Sequence, residues 1–247
     1  MITDIRVSAA KAAVAALIAG FSTTAVAQPA DPLAPLDTPS VVQASASVPD
    51  PLAPLDVEAG KDTQAPSADV VRVIDWVVGT RDNGELPFMV IDKVGAEVFL
   101  FDATGEFIGK TPALLGSTPG DESSPGVGDR ELSEISPEER TTPAGRFVAN
   151  FGYARGHERV LWVDYATSIS LHAVVTSNKK EQRLKRLKSP TPEDNRITYG
   201  CINVPREFYT KVVRPLFKDT AGVVYILPET KPLNQAFLAF LDTKLSR

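Results

Sequence analysis

The sequence predicts a mainly β, β-rich α+β domain with a few peripheral helices, and three observations carry that expectation. Apolar runs rich in Val, Ile, Phe and Tyr recur at strand length from Phe88 onward. Turn-forming residues separate them at close intervals, and helical periodicity is confined mostly to the flanks. Short strands with close turns favour an antiparallel arrangement.

The first 27 residues, Met1 to Ala27, read as a secretory signal peptide. Arg6 and Lys11 precede the small apolar run Ala12 to Gly20, and Ala25-Val26-Ala27 supplies a small-residue cleavage site. The run is too short to span a bilayer, and no later segment reaches membrane length, so the expected product is periplasmic, envelope-associated or secreted, with no integral membrane segment. Residues 28–67 are rich in Pro, Ala, Asp and Ser and repeat one phrase, Asp31 to Asp37 recurring as Asp50 to Asp56. Such a stretch lacks the apolar surface to offset chain entropy and reads as a disordered tether. The folded domain then spans 68–247, with its core at 88–227.

Within that domain, Val70, Val71, Val73, Ile74, Val77 and Val78 fall along a short helical stripe closed by Gly79. Strands are expected at Phe88 to Lys93, Glu97 to Phe101 and Phe107 to Pro112, with a turn at Ala103-Thr104-Gly105. More follow at Arg146 to Phe151, Arg159 to Asp164 and Ser168 to Val174, the first two joined by a turn at Arg155-Gly156. Arg206 to Phe217 reads as a helix, Gly222 to Leu227 as a strand, and Leu233 to Leu245 as an amphipathic terminal helix. Two long connections interrupt the strands, an acidic Gly/Pro-rich one at 116–142 and a basic one at 177–195. In the second, Leu184 and Leu187 could anchor a short helix, while its Lys and Arg cluster fits either a solvated face or contact with an anionic polymer.

The net charge of −5, about −6 once Asp4, Arg6 and Lys11 leave with the signal peptide, argues against a nucleic-acid binder. An exported protein normally pairs its cysteines, yet Cys201 stands alone and no intramolecular disulfide is possible. A lone thiol is commonly a small buried apolar group. Its neighbours point elsewhere: Arg196-Ile-Thr198-Tyr199-Gly200-Cys201-Ile-Asn203. Gly200 permits a sharp backbone turn that exposes a side chain and aims successive N–H groups at one point, Thr198 offers a hydroxyl to fix the turn, and Asn203 offers an amide. A thiol needs a base to become a nucleophile. Of the two histidines, His157 sits in a polar turn, whereas His172 ends an expected strand that can hold it rigidly. One cysteine and two histidines give no zinc spacing, and no metal or cofactor is expected.

These residues resemble the L,D-transpeptidases with the YkuD-type catalytic domain. The family signature is matched by His172, Thr198, Gly200, Cys201, Ile202 and Asn203, and Thr142-Pro-Ala-Gly-Arg-Phe147 is similar to a second family phrase. The resemblance covers about Phe88 to Leu227 and implies a YkuD-like antiparallel β-sandwich or barrel. It departs at Tyr199, where histidine is common, at Ala173, where glycine is common, and in a longer stretch between His172 and Thr198, all of which suggest a divergent branch. The implied activity is acyl transfer on peptidoglycan stem peptides without a cofactor: Cys201 as nucleophile, His172 as base, and N–H groups around Tyr199 to Cys201 as the oxyanion site. A backbone carbonyl would orient the histidine. Arg196 would either hold a substrate carboxylate or form a structural salt bridge. The alternatives are a hydrolase or carboxypeptidase of the same bonds and a catalytically idle wall-binding domain.

Overall fold

Ser67 opens the first helix by accepting a hydrogen bond from the Val70 N–H, with Asp69 in the first turn at the positive end of the helix dipole. This and all that follows come from a computed structural model that describes residues 65–154 and 159–237, all within the unit Asp50–Arg247. The expected signal peptide, the tether with its repeat, the Arg155-Gly156 turn, His157 and the terminal helix beyond Phe237 lie outside the described residues.

Helix α1 (Ala68–Thr80) buries Val70, Val73, Trp76 and Val77, while Val71 and Val78 of the expected stripe are exposed. It stops at Arg81, in the left-handed region with φ 56°, whose N–H closes on the Val77 carbonyl. The strands are β1 (Phe88–Asp92), β2 (Glu97–Phe101), β3 (Phe107–Pro112), β4 (Leu115–Gly116), β5 (Gly145–Tyr153), β6 (Arg159–Asp164), β7 (Ile169–Ala173), β8 (Arg196–Thr198), β9 (Ile202–Val204) and β10 (Gly222–Ile226). Eight of them form one sheet in the order β3-β2-β1-β10-β5-β6-β7-β9, and β4 pairs with β8.

The sheet is β-rich as expected and mostly antiparallel, but β1 with β10, β7 with β9, and β4 with β8 run parallel. Parallel neighbours require a long crossover, and the basic connection between β7 and β8 is part of the one that joins β7 to β9. Strand β9 was not visible in the sequence, because three residues are too few to show a period.

The central strands are buried on both faces, which is why they read as unbroken apolar runs. In β1, Met89 and Ile91 enter one core with Leu161, Leu171 and Ile202, while Phe88 and Val90 enter another with α1 and Tyr225. The first core is covered by a helical run of α3 (Arg206–Phe208), a π turn at Tyr209–Val213 and α4 (Arg214–Phe217), through Phe208, Val213 and Phe217. The second takes Leu233 of α5 (Leu233–Ala236). In the basic connection, α2 (Arg183–Leu187) is anchored by Leu187 against Leu114 and Val174, whereas Leu184 is 56% exposed and anchors nothing. No helix among the described residues is long and apolar enough to cross a membrane.

The long acidic connection is not loose. Lys93, just past β1, is fully buried and its Nζ donates to the Gly120 carbonyl, to Asp121 Oδ1 at 2.7 Å and to the Thr142 carbonyl at 3.0 Å. Asp121 also accepts from the backbone N–H groups of Glu229, Thr230 and Lys231, each at 2.8 Å, and Glu229 accepts from the Gly120 N–H at 3.0 Å. Burial opposes ionisation of Asp121, but Lys93, the Thr230 hydroxyl and these N–H groups outweigh it and hold its carboxyl well below the usual carboxylate range.

Lys93→Met leaves Asp121 charged and buried without its partner, and should cost about 3–5 kcal/mol in denaturant unfolding. Because the Asp121 carboxyl titrates lower in the folded chain than in the unfolded one, its stabilising contribution is complete above the ordinary carboxylate range and is lost as pH falls from that range to the lower value of the folded chain. Stability of the native chain should therefore decline on acidification below about pH 4, and Asp121→Asn should flatten that decline.

Candidate active site

The chain reverses between β8 and β9, and Cys201 sits on that reversal. Thr198 clamps it from both sides: its hydroxyl accepts from the Gly200 N–H at 3.1 Å and donates to the Cys201 carbonyl at 2.7 Å. Gly200 has φ 126°, and a Cβ there would stand 2.8 Å from the Thr141 carbonyl oxygen, so both conformation and space demand glycine. Its own carbonyl accepts from the Thr142 hydroxyl at 2.7 Å, and that hydroxyl in turn accepts from the Gly116 N–H at 2.9 Å. Thr142 is fully buried, so the phrase Thr142 to Phe147 serves the site by fixing the Gly200 peptide plane from below.

The register of the parallel pair β7 and β9 brings the base alongside. His172 lies opposite Asn203, and Leu171 opposite Ile202, which places Cys201 across from Ser170. Ser170 and His172 share one face of β7 by the two-residue alternation of a strand. The Cys201 thiol lies 3.6 Å from the Ser170 hydroxyl and 3.6 Å from the Ser168 carbonyl, and is partly exposed. Burial pushes the thiol up, but the hydrogen bond and charge of His172, with the N–H and hydroxyl of Ser170, bring it below its ordinary value.

The imidazole is fixed at both nitrogens. Nδ1 lies 2.9 Å from the Ala173 carbonyl, and Nε2 is 3.1 Å from Asn203 Nδ2. A carbonyl can only accept, so Nδ1 carries the proton and Nε2 is the basic nitrogen. The group orienting the histidine is thus a backbone carbonyl.

Other sequence candidates fall into distinct places. Tyr199 lies beneath the Arg140 guanidinium, 4.1 Å from its centre to the ring, and Arg140 donates to the Ile135 carbonyl at 3.1 Å; the tyrosine ties the acidic connection to the cysteine turn. Arg196 is ion-paired with Glu229 and donates to the Lys93 carbonyl at 2.8 Å, so its guanidinium is engaged by the protein's own groups. The Gly200 N–H is taken by Thr198, whereas no hydrogen bond of the Cys201 N–H is found among the described residues. Sequence reasoning missed Ser170 as a thiol partner, and its position two residues before His172 was the available signal.

No protein-family profile and no curated protein matches the chain. Its fold is similar to solved structures at low identity, L,D-transpeptidases among them. The helical cell shape determining protein Pgp2 (K307A mutant) from Campylobacter jejuni is 14% identical over 73% of this chain and 63% of its own, with a TM-score of 0.40. The catalytic domain of the E. faecium L,D-transpeptidase is 15% identical over 58% and 98%, at 0.35. The L,D-transpeptidase LdtMt1 in complex with imipenem is 14% identical over 58% and 60%, at 0.33. The chain thus spans 60% of LdtMt1, and what the site can do rests on its own geometry.

Cys201 is the sole thiol, so alkylation reports on it directly. The rate should rise with pH through a midpoint below the ordinary thiol value of about 8.5, and His172→Ala should move that midpoint upward. Thr142→Val strips the partner from two buried backbone groups and should cost about 1–3 kcal/mol, with slower alkylation of the loosened turn.

Proposed function

We propose that this protein is an exported peptidoglycan L,D-transpeptidase. The observation that supports the reading most is the pairing of one thiol, held on a glycine turn and made more acidic by its surroundings, with a histidine whose basic nitrogen is defined by a carbonyl on the other side of the ring. That arrangement suits nucleophilic acyl transfer.

In the first half-reaction the Cys201 thiolate attacks the carbonyl of the L-centre, diaminopimelate, in a tetrapeptide stem. The carbonyl oxygen becomes an oxyanion, for which the Cys201 N–H is a candidate donor. Collapse breaks the bond to the terminal D-alanine, whose amine leaves with the proton that the imidazole took from the thiol. A thioester remains on Cys201. In the second half-reaction an amine of another stem gives its proton to the imidazole and attacks the thioester, forming the new amide and returning the thiol. Stems are ordinary partners for such a site because both steps need only a nucleophile, a base and an oxyanion donor, with no cofactor chemistry.

Purified peptidoglycan digested after incubation with the enzyme should show D-alanine loss and new cross-linked dimers by mass spectrometry. Cys201→Ala should abolish both, and His172→Ala should slow them roughly 10²–10⁴-fold. Shortened stems without dimers would assign the protein to hydrolysis of the same bonds, and unchanged products from Cys201→Ala would refute the nucleophile.

A further inference from the structure

The basic connection reaches the candidate site through one side chain. Arg183, the first residue of α2, donates through Nε to the Glu181 carboxylate at 2.5 Å and through Nη1 to Asn203 Oδ1 at 2.8 Å, and its side chain is only 14% exposed. The other cations of this connection do different work: Arg186 staples it internally, donating to the Glu181 and Asp194 carbonyls at 2.9 and 2.8 Å, while Lys179, Lys180 and Lys185 are exposed.

A guanidinium has five N–H donors and no acceptor, so the edge of the Asn203 amide turned toward Arg183 must be its oxygen. The amide NH2 is then forced toward His172, where it donates to Nε2 at 3.1 Å. Nε2 can accept only while it carries no proton, and the ring proton on Nδ1 is taken by the Ala173 carbonyl at 2.9 Å. Each member of the row Arg183, Asn203, His172, Ala173 therefore has a single allowed role. Adding a proton to Nε2 would set two donors face to face. Turning the amide over would relieve that clash only by setting its NH2 against the guanidinium.

We propose that Arg183 is a positioning residue that acts through the Asn203 amide to keep the proton of the neutral His172 ring on Nδ1 and to oppose a second proton at Nε2. The proposal deepens the function above, since it rests on His172 acting as the base. It gives the inserted basic connection a role in setting the resting state of the catalytic pair. Among the described residues, the titratable and charged groups that face the imidazole include Cys201 from the turn before β9 and, through Asn203, Arg183 from α2 with its ion-pair partner Glu181.

The test is a pH titration of the His172 ring nitrogens by long-range ¹H–¹⁵N NMR on the full chain, with His172→Ala assigning the signal against His157. It is run with Cys201 present and again with Cys201→Ala, which removes any contribution of the thiolate. Above the pH at which the native ring takes its second proton, its Nδ1 should be protonated and its Nε2 bare. Arg183→Met frees the amide to turn its oxygen to Nε2–H, so the pH at which the ring takes its second proton should rise by about one unit. Arg183→Lys, which also only donates, should keep the native titration; this rescue separates positioning from a merely structural loss. An Arg183→Met chain that titrates like the native one would overturn the proposal, as would a Lys variant that behaves like Met. The titration needs no substrate, so a protein that fails to transpeptidate but shows the shift contradicts the proposed function and leaves the Arg183 relay standing.

Discussion

The structure depends on what is done with one buried cation. Lys93 has no water to solvate it, and a charge so placed is tolerated only if its partners are complete. Its three hydrogen-bond partners, Gly120, Asp121 and Thr142, all come from the acidic connection. Glu229, ion-paired with Lys93, and Arg196, ion-paired with Glu229, extend the set, so that the end of β1, the acidic connection, β8 and the segment after β10 meet at one point. Such a network contributes less to net stability than its contacts suggest, because desolvation offsets much of the attraction. What it contributes is position: one hydrogen bond away, the Thr142 hydroxyl holds the carbonyl of Gly200 and so the cysteine turn.

From that anchor the site is assembled by backbone geometry more than by side-chain reach. The turn at Thr198 to Cys201 is closed by its own hydroxyl, and the parallel register of β7 and β9 sets His172 beside it. Two long connections, which look like interruptions of the sheet, then close on the two sides. The acidic one does so through Arg140 stacked on Tyr199 and through the Gly128 carbonyl, which accepts from Ser168 at 2.9 Å, and the basic one through Arg183. Tyr199 thereby acquires a physical role at a position where the resembling family commonly has histidine.

How much of this was legible in the sequence follows from how local each feature is. The cysteine turn could be read because Thr198, Gly200 and Cys201 fall within four consecutive residues and each is required by the same few atoms. The antiparallel meanders β1 to β3 and β5 to β7 could be read because their turns lie between them. The parallel pairings could not, since their partners are brought together by crossovers whose pattern is that of a loop. Arg196 was left between a substrate carboxylate and a salt bridge because Glu229 is 33 positions away, and only the fold shows that it is paired. Arg183 was one cation among several in a cluster, and nothing local distinguishes it from its solvated neighbours. Its significance arises entirely from facing Asn203 across 20 positions of chain.

The central claim is that Cys201, on its clamped turn, carries the acyl group. Its most direct test is the intact mass of the protein mixed with a tetrapeptide stem in the absence of an amine acceptor. The account predicts a gain equal to the tripeptide acyl group, located on Cys201 by peptide mapping, with one D-alanine released for each chain modified. Release of D-alanine with no adduct on Cys201 at any time, or an adduct located on another residue, would contradict it.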